Sequence, residues 1–265
     1  MKKYLRLLQI EFRKSREYAL NFSAQIVYIP FQMLIYYFLW TAIYRANYGD
    51  RLGGFTLEQI LFYYLSVLVL KIALMPTGVI AYDIWDDIKS GGLDTYLVKP
   101  FSYLLVGFFK KIGYYISAIV IGILVIFACG KIFGLESGIP AGSWLLFLFS
   151  SFLGFSIMFL MFGIVGVLTF WLKNVLTLRD VLWNFLMLFS GEIIPLSFLG
   201  GAFAFIKYLP TAGVYYYPAA ILNGTFPGTD VAKILFFQIG WIAVLSVLIS
   251  VLWNSGRRKY EAQGG

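Results

Sequence analysis

The sequence predicts an all-α polytopic membrane protein, with six transmembrane helices, a basic amphipathic helix at the N-terminus and broken, re-entrant helices on one side. Three observations predict it. Mean hydropathy is +0.81 and charged residues make up only 13% of the chain, about half their share in a soluble domain. Several runs of roughly 20 apolar residues are each long enough to cross a bilayer as a helix. The lysines and arginines fall at the ends of those runs, where orientation signals lie. The net charge of +8 is therefore read as topology, and nucleic acid is not an expected partner.

The first 20 residues, MKKYLRLLQIEFRKSREYAL, form the surface element, and residues 21–265 form the membrane domain. At 100° per residue Met1, Tyr4, Leu5, Leu8 and Phe12 share one face, and Lys2, Arg6, Gln9, Arg13 and Arg16 share its neighbour. Such a helix lies in the headgroup plane with its cations toward anionic lipid. Glu11 sits at the edge of the apolar face and calls for a partner. The apolar run that follows is too long for a signal-peptide core and no small-residue cleavage site follows it, so a retained N-terminus is expected.

Spans are expected at about 22–44, 59–80, 106–129, 142–172, 181–200 and 231–253. Of the lysines and arginines in the connectors and at the span ends, six lie in the first 20 residues, four in 81–111, two in 173–180 and three in the tail, against five on the opposite side. That bias places both termini in the cytoplasm. It also places there the connector YDIWDDIKSGGLDTYLVKPFS, residues 82–102. Asp83, Asp86 and Asp87 with Ile84, Trp85 and Ile88 make a short amphipathic helix. Gly91-Gly92 ends it. Leu93, Tyr96 and Leu97 begin a second apolar stripe, and Pro100 marks another turn. An acidic, aromatic knob of this kind suits docking into a groove on another protein.

The stretch from Ser190 to Gly228 is apolar but punctuated by Pro195, Gly200-Gly201, Pro210, Gly213, Pro218 and Gly224. It is too broken for a straight span and too apolar for a solvated loop. Short re-entrant helices over 196–228 satisfy both constraints if their backbone is buried in protein. Gly154, Gly163 and Gly166 in the fourth span permit close helix approach.

Catalytic signals are missing. There is no histidine, and the single cysteine, Cys129, lies in an apolar run. Disulfides within the chain, histidine-based catalysis and Cys/His metal sites therefore lack their residues. The only Gly-Lys pair, Gly130-Lys131, has Val125 and Ile132 where a phosphate-binding loop needs glycine and a hydroxyl. A Ser-Lys dyad would have to use Lys71, the only lysine well inside a span. Charges at membrane depth are costly unless paired or wet, and Lys71 and Glu192 fall at similar depth from opposite sides. Either they pair between the second and fifth spans, or Glu192 faces a cavity and attracts a cationic substrate, or one or both lie nearer an interface. The many aromatics, Tyr215, Tyr216 and Tyr217 among them, read mainly as interfacial belts and packing, with some available to line a path for a flat amphipathic molecule.

On these residues the chain resembles the membrane subunit of a type-2 ABC transporter, the exporter-class permease. The resemblance covers nearly the whole chain. It rests on the basic elbow helix, six spans with both ends inside, SGGLDTYLVKPFS between the second and third spans, and SGEIIPLSFL…LP…YYYPAAILNG between the fifth and sixth. It implies that the first connector, 81–105, is a coupling helix docking on an ATPase subunit, with Asp83, Asp86, Asp87, Lys89, Gly91, Gly92, Leu93, Asp94, Leu97, Lys99 and Pro100 as coupling residues. Glu11 and Arg13 would mark the elbow. Pro195, Pro210, Tyr216, Pro218 and Gly224 would shape an outer gate, with Lys71 and Glu192 on the substrate path or gate. Gly200-Gly201 and Thr211 depart from the expected pattern of that segment.

The resemblance further implies export of an amphipathic or drug-like small molecule, a lipid or a glycan. Two ATPase copies would supply Mg-ATP chemistry, this chain would hold no cofactor, and a second permease, identical or related, would complete the cavity. The setting implied is the bacterial plasma membrane. The competing class, an ion-gradient-driven transporter, calls for several intramembrane carboxylates, and Glu192 is the only clear one.

Overall fold

The computed structural model describes residues 19–46, 51–98, 102–135, 139–226 and 228–260, with side chains from residue 28 onward. The expected elbow helix with Glu11 and Arg13, and Lys99 and Pro100 of the connector, lie outside the described residues. Within them, all extended regular structure is helical.

Helix α1 runs Ala19–Ala46, and 28 residues give it about 42 Å. Helix α2, Leu57–Leu74, starts at a capping box: Thr56 accepts from the Gln59 backbone N–H, and the Gln59 side chain accepts from the Thr56 N–H. Pro76, which has no N–H to give the helix ladder, sits in a 3-10 turn at Met75–Gly78, and the chain resumes as α3, Val79–Lys89. The connector adds the short α4, Asp94–Leu97. Then follow α5, Tyr103–Ile132, and α6, Ala141–Val167, extended by a 3-10 turn to Phe170. Helix α7 is Leu176–Phe189, α8 is Tyr216–Leu222 and α9 is Gly228–Gly256.

Among the described residues four helices are long and apolar enough to cross a membrane: Leu57–Lys89, Tyr103–Ile132, Ala141–Phe170 and Gly228–Gly256. These correspond to the expected second, third, fourth and sixth spans, the fourth ending two residues earlier than expected. Helix α1 has the length of a span at the place of the first. The expected fifth span, 181–200, is corrected. Its helix is α7, 14 residues or about 21 Å. Beyond Phe189 the chain turns instead of continuing.

Helix α2 is the centre of the molecule. Every residue from Ile60 to Leu70 is buried, as expected of a helix that is apolar all round. It packs on α1, α5 and α8, while α6 packs on α3, α8 and α9. Between helices in lipid there is no hydrophobic drive, so close packing and hydrogen bonds must hold them. Small residues provide the closeness. A Cβ at Gly122 of α5 would stand 2.2 Å from Val69, and one at Gly154 of α6 only 2.7 Å from the Gly213 carbonyl. One at Gly166 would meet Ala81 and Ile84 of α3. Helix α9 differs: only Val231, Ile234, Gln238, Leu245, Ile249 and Gly256 of it are buried, so most of it faces lipid or another subunit.

Candidate functional site

Three regions could serve transport: the broken segment after α7, the connector, and a groove between α1, the α2–α3 bend and α7.

The broken segment closes on itself. It leaves α7 at Ser190 and returns where the Tyr216 N–H donates to the Ser190 carbonyl at 2.9 Å. Between these points are 3-10 turns at Leu196–Phe198, Gly201–Tyr208 and Pro210–Gly213. Irregular backbone at membrane depth must find its hydrogen bonds in protein, and side chains from distant helices supply them. The hydroxyls of Tyr63 and Tyr64 on α2 donate to the Gly191 and Ile193 carbonyls, each at 2.6 Å. Tyr217 donates to Lys207 O at 2.7 Å and Thr211 to Phe189 O at 2.8 Å. Gln238 of α9, fully buried, donates to Gly213 O at 2.8 Å and Ser150 O at 3.1 Å, and accepts from the Ser150 hydroxyl at 2.9 Å. Gly191 has φ +87° and packs under Tyr63 and Tyr216, so no side chain fits there. Pro195 precedes the first 3-10 turn, Pro210 opens the third, and Pro218 lies in the first turn of α8. Pro195, Tyr216 and Pro218 are all buried. Gly224, at φ +67°, ends α8. The Asn223 amide donates to the Gln59 carbonyl at 2.7 Å and ties that end back to α2.

The connector is anchored as well as exposed. Ser90 caps α3, and Gly91 at φ +77° turns the chain. Gly92 lies so close to the Asp87 carboxylate that a Cβ would stand 2.8 Å from it. Leu93 is fully buried, while Leu97 and Val98 are 44% and 83% exposed. Asp83 pairs with Lys111 of α5 at 2.7 Å, and Asp87 accepts from the Tyr103 hydroxyl. Asp86, Lys89 and Asp94 complete the set, the first two exposed. Tyr103 stacks on Trp253 of α9 at 5.2 Å and meets Tyr96 edge-on. Trp253 in turn packs against Phe170, which touches Tyr260. Burial raises the Tyr260 hydroxyl pKa, with Asp94 and Asp87 adding to the rise, so it stays neutral at physiological pH. The connector thus contacts α5 directly and, through Tyr103, the ends of α6 and α9. Asp83, Asp86, Asp87 and Lys111 also line a polar cavity of about 410 Å³ between the connector and α5.

Lys71 and Glu192 do meet, at 2.6 Å. The pair joins α2 to the broken segment. Glu192 is mostly covered, its side chain 13% exposed, whereas Lys71 is 44% exposed. It is Lys71 that lines the adjoining groove, a space of about 580 Å³ bordered by Tyr28, Met75, Tyr82, Arg179 and Trp183. Trp183 lies over Gly78 at the bend, where a Cβ would stand 2.3 Å from its ring. Sequence reading missed Arg179, Trp183 and Gln238 as site residues. The signals were present: Arg179 and Trp183 are four apart on one helix face, and Gln238 is a lone amide inside an apolar span.

A family model described as ABC-2 family transporter protein matches residues 31–264. The chain belongs to that family. The match begins inside α1 and runs through α9 and the tail, so it takes in the connector, the groove and the broken segment. Among curated proteins, none matches the chain. Membership makes this ABC-2 protein a membrane transport subunit, of a family that is not normally catalytic and works with an ABC ATPase.

Proposed function

We propose that the chain is the permease subunit of an ATP-driven exporter that moves an amphipathic molecule out of the cytoplasm or inner leaflet. A pair of permeases, this chain with an identical or related one, encloses the path. Two ATPase copies bind beneath, and all nucleotide chemistry resides in them. The connector from Val79 to Val98 is the docking element, and ATP-driven closure of the ATPase dimer moves it. The broken segment after α7 is the outer gate. Both termini lie in the cytoplasm, and the setting is a bacterial plasma membrane.

The observation that carries this reading is the double character of the connector. One side is fixed to α5 by Asp83–Lys111 and Asp87–Tyr103, through Tyr103 to α9 by the Trp253 stack, and by buried Leu93. The other side presents Lys89, Leu97 and Val98 to the surroundings. A docking element needs this arrangement: a surface for a partner and a rigid connection to the spans.

The test is co-purification with the ATPase encoded beside this chain, in nanodiscs, comparing wild type with Leu97→Arg/Val98→Glu. Both positions are exposed, so the variant should keep its fold and lose at least tenfold of the retained ATPase. If wild type retains no ATPase even with a second permease present, the ABC reading fails and gradient-driven transport takes its place.

A further inference from the structure

The two ends of α9 differ in how their charges are compensated. Near its start, Lys233 is neutralised by Asp230 at 2.8 Å. Past its end, Arg257, Arg258 and Lys259 follow in a row, all three exposed. Lys173, also exposed, comes from the turn after α6. Aromatic packing brings the two segments together. Gly256 lies so close to the Phe170 ring that a Cβ would collide with it, and Phe170 meets Trp253 at 5.6 Å and Tyr260 at 6.1 Å. Lys173 stands three residues beyond Phe170, and the other three cations lie between Gly256 and Tyr260. Among the described residues no carboxylate pairs with any of the four.

The helix that leads to these cations is graded along its axis. Val244, Val247, Leu248 and Val251 are exposed, and their three- and four-residue spacing makes them one apolar stripe. Exposed Asn254 and Ser255 continue that face, and Arg258, seven residues beyond Val251, ends it. The Arg257 N–H still donates to the Trp253 carbonyl, at 3.0 Å, so the helical register holds to this point. Arg258 stands ten positions beyond Leu248, which is about 15 Å at helical rise. That is half of a hydrocarbon core about 30 Å thick. One face is thus apolar for the depth of a leaflet, then carries an amide and a hydroxyl, then guanidinium groups. A phospholipid has the same order in depth: acyl chain, glycerol ester, phosphate.

We propose that the junction of α6 and α9 binds an anionic phospholipid of the bilayer. Arg257, Arg258, Lys259 and Lys173 take the phosphodiester, and the acyl chains lie along the stripe from Val244 to Val251. Clusters of four or so cations just beyond a membrane helix attract anionic headgroups, and guanidinium meets phosphate with paired N–H donors. The site does not depend on the transport reading, which supplies only the leaflet, the cytoplasmic one. An ATPase fits this surface less well, because the stripe that continues from the cations runs into the membrane, where no cytoplasmic protein reaches. The bound lipid braces a junction that the connector leans on: Trp253 stacks on Tyr103, and Tyr103 donates to Asp87.

The experiment uses the full chain in phosphatidylcholine nanodiscs, without ATPase. A photoactivatable phosphatidylglycerol is compared with a photoactivatable phosphatidylcholine at equal mole fraction, and crosslinked peptides are mapped by mass spectrometry. The anionic probe should label 171–175 and 244–260 about fivefold more than the neutral one, or better, since a single surface cation supplies about that factor. The 228–240 end, where Lys233 is already paired, should show no preference. Arg257→Gln/Arg258→Gln/Lys259→Gln should remove most of the excess and leave the unfolding midpoint in phosphatidylcholine unchanged, because all three side chains are exposed. The milder Lys173→Gln/Lys259→Gln should lose a large part of it even if the triple variant misfolds, and Arg257→Lys/Arg258→Lys should keep it. Equal labelling by the two probes, an equal excess at 228–240, or an unchanged excess in both neutralised variants overturns the proposal. Loss of the excess to added inorganic phosphate overturns it as well, since the site then takes a free anion. So does displacement of the probe by the ATPase together with weaker ATPase capture by the triple variant, which would make the patch a protein-docking surface. Selective labelling of a chain that captures no ATPase would sink the exporter reading and leave the lipid site standing.

Discussion

Gln238 shows how much one polar side chain carries inside this bundle. In α9 it stands among apolar residues that mostly face outward, yet its own amide is fully covered. Its three hydrogen bonds join α9 to Ser150 of α6 and to the turn at Gly213. Replacing it with leucine keeps the volume and removes every one of them. The Gly213 carbonyl then has no partner from α9, and a buried unsatisfied group costs about 1–3 kcal/mol. We expect Gln238→Leu to lower stability by about 2 kcal/mol, read as a fall of several degrees in the thermal unfolding midpoint in nanodiscs. An unchanged midpoint would mean that lipid or water replaces the amide and that the turn does not depend on α9. Tyr63 and Tyr64 do the same work from α2, and their backbone partners at Gly191 and Ile193 lie about 130 residues away in sequence, as the separations of 128 and 129 show.

Those long separations also explain which elements could be read in advance. The second, third, fourth and sixth spans were legible because a helix satisfies its own backbone within one segment, so length and hydropathy suffice. The end of α3 was legible because Gly91 is a local signal, and its φ of +77° bears that out. The fifth span was misread for a physical reason. Ser190 to Gly200 is as apolar as a span, but its carbonyls bond to tyrosines on α2, which no local pattern reveals. The groove was half legible: Lys71 drew notice as a charge inside a span, while Arg179 and Trp183 looked like the start of an ordinary helix. The contact between those elements is testable. At Gly78 a Cβ would meet the Trp183 ring at 2.3 Å, so Gly78→Val should force α7 off the α2–α3 bend. Overpacking of this kind costs about 1–3 kcal/mol. Gly78→Val should therefore lower the unfolding midpoint, and adding Trp183→Ala should recover most of the loss. If the double variant is as unstable as the sum of its parts, the two residues do not press on each other and the close approach is not what shapes the groove.

At the scale of the whole molecule, the question is how movement at one end reaches the other. Helix α3 continues α2 through the Pro76 bend, so a push on the connector acts on the central helix, which holds Lys71 and the tyrosines that secure the broken segment. The second route runs sideways, from Asp83 to Lys111 of α5. Lys111 is well covered, 16% exposed, and Asp83 is 37% exposed. Such a half-exposed pair adds little stability, roughly 0–1 kcal/mol. Its larger consequence is geometric, because it fixes the angle at which α3 meets α5. That separates two effects that ATPase docking alone would confuse. Asp83→Asn should leave both the fold and ATPase capture intact, since Asp83 is not on the exposed face with Leu97 and Val98. In the assembled transporter it should reduce transport per ATP hydrolysed severalfold. The swapped pair, Asp83→Lys/Lys111→Asp, should restore part of the yield, whereas Lys111→Asp alone should not. Loss of ATPase capture in Asp83→Asn would place this carboxylate in the docking surface instead. Full coupling in the same variant would mean that the α2–α3 continuation, the packing of α3 on α6 and the Asp87–Tyr103 bond carry the movement without this pair.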